Sequence, residues 1–454
     1  MAVSATRYGP YVMISRDGRC LHCDVLGIGF GPANIALAIA AEEERLGLDL
    51  RFIESRSGPA WQPGMLLSGS DIQNNPLRDL VTLRNPRSEY TFVNYLSEAG
   101  RLLEYLNVGL AYPLRAEYSR YVQWAASHFA ALVDYDACAL DVRIEPTRRR
   151  WRVVTAKGDI SASAIIVGTG RSPNIPKALR PHLGARVFHL IDYLPSIEAL
   201  QQLGGLRSVL VLGGSQSAVE VHLDLLSRFP ELEIHAVHRA FSMRQKDTSP
   251  FSDHVYFPEF VDYYYSASPR HREELYRDLR STNYSAADID VLRSLYTRIY
   301  EERLQGKNRF HLHNNTEILS LAARAESFDV DIRQRVIETT KTVNVDAIIL
   351  ATGFLDLGLG DGKEICPPVL RSAEEELLCG RDALLVRRDF RIEAPGSPPV
   401  FLNGLCESSH GFGDAGSFSL ISLRASDIVK TLRTVVTPGY EEELGFRNSA
   451  LANP

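Results

Sequence analysis

The sequence predicts an α/β protein built on two copies of one strand–turn–helix unit, with a small helical region attached to the second. Three observations predict it. An apolar run ending at Asp24-Val25-Leu26 leads into Gly27, Gly29 and Gly31 and then the alanine-rich stretch from Ile35 to Ala40. A second apolar run, residues 208–212, leads into Gly213-Gly214-Ser215-Gln216-Ser217 and a helical pattern ending near Arg228. Two further apolar runs end alike, in Val167-Gly168-Thr169-Gly170 and Leu350-Ala351-Thr352-Gly353. Short apolar runs bounded by glycine and alternating with helix are the pattern of buried parallel strands.

The chain of 454 residues is long enough for two or three domains. Its net charge of −6 offers no basic field for nucleic acid or an anionic membrane. No apolar run approaches the length of a transmembrane helix, and Met1 to Gly18 lacks the apolar core of a secretory signal. A cytoplasmic protein is expected. Cys20 and Cys23 form a single C-x-x-C ahead of the first strand, with no second pair to complete a zinc site.

The first unit begins with the strand that ends at Leu26. A strand, a glycine turn and a helix N-terminus aim backbone N–H groups at one point, where a pyrophosphate is held. Pro32 and Asn34 open the helix. The second strand, residues 50–53, ends at Glu54, about 20 residues on, where a carboxylate meets a ribose hydroxyl. Residues 55–87 are polar and proline-punctuated, a long loop of the kind that carries function. Helices are expected over 91–98 and 115–131, short strands over 142–155, and a buried strand at 165–167.

The second unit repeats the first, with Ser215 standing where the middle glycine is expected. Its second strand, residues 234–237, ends in bases: His238 and Arg239, with Arg244 and Lys246 near. Such residues receive a 2′-phosphate and favour NADPH over NADH. Residues 262–306 read as two helices joined near Ser281-Thr282-Asn283-Tyr284, and 343–350 as one buried strand. The tail holds Phe401-Leu402-Asn403-Gly404, the glycine-rich His410-Gly411-Phe412-Gly413-Asp414, and a helix over 420–433. A helix N-terminus behind a glycine-rich loop suits a flavin ring, which makes Asp414 a cofactor candidate. These features divide the chain into 20–205, the first part of an FAD-binding domain; 206–345, an NADPH-binding domain with a helical substrate insertion near 250–306; and 346–454, a return to the FAD domain with a covering segment.

Two dinucleotide sites in one chain imply electron flow from NADPH to FAD. A dithiol, a carrier or oxygen could receive the electrons. Cys20 and Cys23 lie before the first strand, and no iron–sulfur or haem motif is visible, so oxygen is favoured by elimination. An FAD/NADPH reductase using Cys20 or Cys23 is one competing reading. A flavin-binding protein without product is another, hinted at only by Ser215.

The motifs together resemble the microbial N-hydroxylating flavin monooxygenases, the ornithine and lysine N-monooxygenases of siderophore biosynthesis. The resemblance rests on Trp61, Met65-Leu66-Leu67, Gln73 and the stretch from Leu77 to Pro86; on Gly27-x-Gly29-x-Gly31-Pro32-x-Asn34; on Gly214-Ser215-Gln216-Ser217-Ala218-x-Glu220; and on Ser281 to Ser285, Ala351 to Phe354, and His410-Gly411. It spans nearly the whole chain in matching order. It implies FAD, NADPH and O₂, with one oxygen placed on a primary amine. Gln73 matches a glutamine beside the flavin ring and the amine. Asn283 matches the asparagine holding the substrate's far end, and Trp61 and Gln62 match residues flanking the flavin. The resemblance also implies a homo-oligomer, dimer or tetramer.

Two departures from the family pattern share a direction. Asp71 stands where ornithine enzymes carry a lysine, and Asp253 where they carry an asparagine. Two carboxylates suit a cationic far end, so a diamine or polyamine such as putrescine or cadaverine is expected as substrate. The alternative is ornithine or lysine, with Asp71 turned away. One extra residue between His410 and Arg424 leaves Ser417 and Ser419 without an assigned role.

Overall fold

The computed structural model describes residues 21–145 and 149–436. The strand Leu21–Ile28 lies at the centre of the first sheet. It pairs in parallel with Leu50–Ile53, from Val25↔Leu50 to Ile28↔Ile53, and with Gly158–Val167 on its other side. Val133–Asp134 extends the sheet past Leu50–Ile53, and Arg150–Thr155 and Ala139–Glu145 continue it antiparallel beyond Gly158–Val167. The chain returns to this sheet at Val400–Leu402, parallel to residues 165–167. Val25, Leu26, Ile165, Ile166 and Phe401 are fully buried, as strands covered on both faces require. The helix Pro32–Glu43 starts with proline in its first turn, where no helical N–H is lost, and packs on the last helix, Ile421–Val435.

The second sheet orders Phe310–His313, Glu233–Val237, Ser208–Leu212, Ala347–Leu350 and Val187–His189, all parallel. A three-stranded antiparallel sheet (Thr316–Ala323, Phe328–Gln334, Thr340–Val345) packs Val330, Ile332 and Val345 against Leu210, Val237 and Ile348. The apolar run 343–350 is therefore two strands in two sheets. Asp346 makes the break: its carboxylate accepts the N–H groups of Arg207 at 2.7 Å and Ser208 at 2.9 Å. The second sheet thus takes in strands on both sides of the expected 206–345 span.

The helical region holds three helices, Pro258–Ser266, Pro269–Leu279 and Ile289–Leu304. Pro269 starts a new helix within the tyrosine-rich stretch, because a proline cannot donate the bond that would continue the previous one. The long loop of 55–87 is irregular apart from the single turn Pro63–Met65. Among the described residues no helix is long and apolar enough to cross a membrane.

Candidate functional site

The first glycine turn is open on one side and braced on the other. Gly29 has φ +85°, a conformation that side chains resist, and a methyl group on it would lie 2.8 Å from the Gly168 carbonyl. At Gly31 nothing stands within 4 Å of an added methyl, so the space before the helix N-terminus is open. Beneath the turn, Asn34 Nδ2 donates to Gly29 O at 2.7 Å, and its Oδ1 accepts from Asn403 at 2.9 Å. Asn403 Oδ1 accepts from Arg424 Nε at 2.8 Å, and Arg424 pairs with Asp414 at 2.8 Å. Asp414 also accepts the Cys406 N–H at 2.6 Å. Both Asp414 oxygens are thus engaged in a buried network that reaches the turn through Arg424. Glu54 lies at the turn's edge, its Oε2 accepting the Phe30 N–H at 2.8 Å. An open anion cradle at a helix N-terminus with a carboxylate beside it fits FAD.

In the second turn Gly213 has φ +151°, and Gly214 packs on the His238 side chain, 3.1 Å from an added methyl. Ser215 caps the helix Gln216–Arg228 through its extended backbone, without a side-chain bond. Gln216 donates to Glu220 at 2.9 Å and accepts the Asp288 N–H at 2.8 Å, joining the turn to the helical region. Ser217 is half-buried, while Arg239 and Arg244 are exposed. Lys246, grouped with them by sequence, stands elsewhere: its ammonium is 3.5 Å from Gln73 Oε1. Exposed arginines beside a glycine turn fit an NADPH phosphate.

The residues expected to meet flavin and amine gather where the first unit, the second unit and the helical region meet. Trp61 meets Tyr118 and Phe418 edge-on, with ring centroids 5.8 and 5.2 Å away. Gln62 is exposed at φ 47° and opens the turn Pro63–Met65. Gln73 is held at φ 51°, its N–H donating to Asp71 Oδ1 at 2.9 Å. Its Nε2 is buried without a partner, and so is Asn283 Nδ2. The segment carrying Lys246 runs along the Asn283 loop, with Lys246 N–H on Ala287 O at 2.8 Å and Asp247 N–H on Ser281 O at 3.0 Å. Two buried amide donors without partners fit a site completed by cofactor and substrate.

Asp71 is half-buried. Burial pushes its carboxyl up to about 6, with Asp288 and Glu220 adding to the shift. Its carbonyl accepts from Arg115 at 3.1 Å. Asp253 is half-buried in the turn Ser252–Tyr256. The structure adds Arg78. Its Nη1 lies 3.4 Å from Ser419 Oγ, and its guanidinium sits 5.7 Å from the Tyr256 ring. The Tyr256 hydroxyl donates to Thr282 O at 3.1 Å, next to Asn283. No carboxylate among the described residues pairs with Arg78.

Two buried ionic groups brace this region; Glu220 and Tyr284 fall within motifs of the sequence, but their partners Arg115, Glu407 and Arg171 lie far away in the chain and carry no local signal. Arg115 and Glu220 join the two units through two hydrogen bonds of 2.9 Å each, and Arg115 also donates to Met65 O at 2.8 Å. Behind Asn283, the Tyr284 hydroxyl donates to Glu407 at 2.5 Å, and Arg171 lies 3.7 Å from Glu407 and 3.0 Å from Asp356. Burial pushes Glu407 up to about 8 against the pull of Arg171.

Residues 21–356 match the family described as L-lysine 6-monooxygenase/L-ornithine 5-monooxygenase. The chain belongs to this family. An L-ornithine N(5)-monooxygenase of Pseudomonas aeruginosa is 32% identical over 433 residues, 92% of this chain and 95% of the relative. An ornithine N-hydroxylase of Kutzneria sp. 744, solved with reduced FAD, NADP⁺ and L-ornithine, superposes with a TM-score of 0.82 at 30% identity, covering 91% of this chain and 99% of that one. A cadaverine monooxygenase of Erwinia amylovora bound to FAD gives 0.79 at 24% identity, over 92% of this chain and 96% of that one, a likeness of fold alone. This flavin-dependent N-hydroxylating monooxygenase therefore uses FAD and NADPH: NADPH would supply the electrons through the flavin, and the oxygen placed on the amine would come from O₂. The reductase and non-catalytic readings fall away. Cys23 is buried, and burial pushes its thiol up, away from the thiolate a redox dithiol needs. Cys20 lies outside the described residues.

Proposed function

We propose that this monooxygenase hydroxylates the side-chain amine of L-ornithine, with L-lysine as the alternative, rather than a diamine. One observation carries the reading: Arg78 is a half-buried guanidinium in the candidate substrate region without a carboxylate partner among the described residues. A substrate carboxylate makes charge-assisted bonds with such a fork, and the unpaired Asn283 Nδ2 is a further donor for it. The activities named for the family and for its Pseudomonas and Kutzneria members support the same reading.

The diamine expectation gives way for a physical reason. Asp71 turns its Oδ1 onto its own backbone at Gln73, and burial weakens it as an anion. Arg78 would repel a second ammonium where Asp71 and Asp253 were expected to attract one. At the reacting end, a free alkylammonium has a pKa of about 10.4 and is no nucleophile until it loses its proton. The Lys246 ammonium beside Gln73 disfavours a second positive charge there and so favours the neutral amine. Gln73 is proposed to position the amine against the flavin.

The test scores hydroxylamine product from purified enzyme with FAD, NADPH and air, using ornithine, lysine, putrescine, cadaverine and spermidine. Product from ornithine or lysine is expected. Product from diamines alone overturns the reading. Arg78→Ala is expected to raise KM for the amino acid about tenfold or more, as loss of one partner of a desolvated ion pair does. NADPH oxidation without substrate stays within about twofold.

A further inference from the structure

One cluster of side chains belongs neither to the nucleotide sites nor to the candidate substrate region. The strand Glu233–Val237 and the edge strand Phe310–His313 run parallel, with His311 opposite His235. Alternation along the strands buries Ile234, Ala236 and Phe310 and sets Glu233, His235, His311 and His313 on the other face. Three of the chain's twelve histidines stand there. The His235 ring stacks on both of the others, 4.8 Å from His311 and 5.3 Å from His313 between centroids. His235 Nδ1 and His313 Nε2 are 3.1 Å apart, and His311 Nε2 contacts Glu233 Oε2. One ligand atom each from Glu233, His235 and His311 lies within 4.8 Å of the others.

We propose that Glu233, His235 and His311 bind a divalent transition-metal ion of the zinc class, with His313 orienting His235 through its second ring nitrogen. Two imidazoles and a carboxylate are a donor set suited to such ions rather than to calcium or magnesium. Metal–ligand bonds of about 2.0–2.2 Å place tetrahedral ligand atoms about 3.3–3.5 Å apart. The ligand atoms stand within 4.8 Å of one another, and closing on an ion requires the stacked His235 and His311 rings to turn so that both ring planes meet at it. Three protein ligands leave a fourth position for water. A ligating histidine whose other nitrogen is held by a neighbour has its tautomer and ring plane fixed in advance. Lys341 faces the His235 and His313 rings from the antiparallel sheet and opposes a cation, while the Glu233 carboxylate offsets it. The ion would bridge an inner strand and the edge strand of the NADPH domain. Binding only to the paired strands, it would stabilise them.

The test uses the full-length, FAD-loaded enzyme after chelator treatment. Zn²⁺ is titrated by calorimetry and Co²⁺ by visible absorption. One ion per chain is expected, with d–d bands for Co²⁺ and a thermal midpoint raised by Zn²⁺. His235→Ala and His311→Ala should each weaken binding about tenfold or more and abolish the midpoint shift, and His313→Ala should weaken it about tenfold. Unchanged stoichiometry and affinity in His235→Ala and His311→Ala overturn the proposal, as does the absence of micromolar binding in the parent. FAD content and circular dichroism report folding, and His311→Gln gives the same readout should an alanine variant misfold.

Discussion

Asp71 fixes the turn that presents Gln73. Its carboxylate accepts the Gln73 N–H while its carbonyl is held by Arg115, so Gln73 keeps its left-handed backbone with its amide buried. Asp71→Asn retains an acceptor and should preserve hydroxylation, whereas Asp71→Ala should lower the yield of hydroxylamine per NADPH severalfold. The sign of the pH effect follows from the shift. The folded carboxyl, raised to about 6 from an ordinary 3.8, holds its proton more tightly than the unfolded one. Its burial penalty is full above about pH 6 and is relieved as pH falls toward 4. Asp71→Asn should therefore be more stable than the parent at pH 7–8, and the gap in thermal midpoint should close near pH 4. A gap that persists at pH 4 would show that the charge is not its cause. Sequence offered Gln73 and Asn283 as candidates because each sits at fixed spacing within a dense motif. Arg78 lies in the same motif, but its meaning depends on Ser419, 341 positions away, and no local pattern carries such a contact.

At the scale of elements, both strand–turn–helix units could be read because apolar periodicity and glycine spacing are local properties. Periodicity failed where an apolar run changes sheets without changing composition. From Phe328↔Val345 the chain is antiparallel, and from Ala347↔Val209 it is parallel. The one polar residue between, Asp346, is the only local sign of the switch. Asp346 is buried and ties the start of Ser208–Leu212 to this corner through two N–H groups. Asp346→Ala leaves those donors without their acceptor and should cost about 1–3 kcal/mol, read as a lower denaturant midpoint. Asp346→Asn, which keeps one acceptor oxygen, should cost less. Equal losses in the two variants would mean that charge, rather than hydrogen bonding, holds the corner.

Across the whole molecule, the buried Arg115–Glu220 pair connects the helix Arg115–Ser127 of the first unit to the helix Gln216–Arg228 of the second. The same guanidinium holds the carbonyls of Met65 and Asp71, and Glu220 also accepts from Gln216 at the second glycine turn. One contiguous set of bonds thus runs from the NADPH turn through Glu220 and Arg115 to Asp71 and the Gln73 backbone. Truncating one partner leaves a buried charge unpaired, so Glu220→Ala should destabilise the fold by about 3–5 kcal/mol. Stability alone does not separate a clamp from a positioning device, because a loosened fold also loses activity. The pair of substitutions Arg115→Met with Glu220→Leu separates them, since well-packed apolar replacements of a buried ion pair restore stability. That double variant should recover the parent's denaturation midpoint and still release more peroxide and less hydroxylamine per NADPH, because Asp71 and Met65 have lost their donor. Recovery of both stability and coupling would instead make the pair a structural tie between domains, and the orientation of Gln73 would then rest on Asp71 alone.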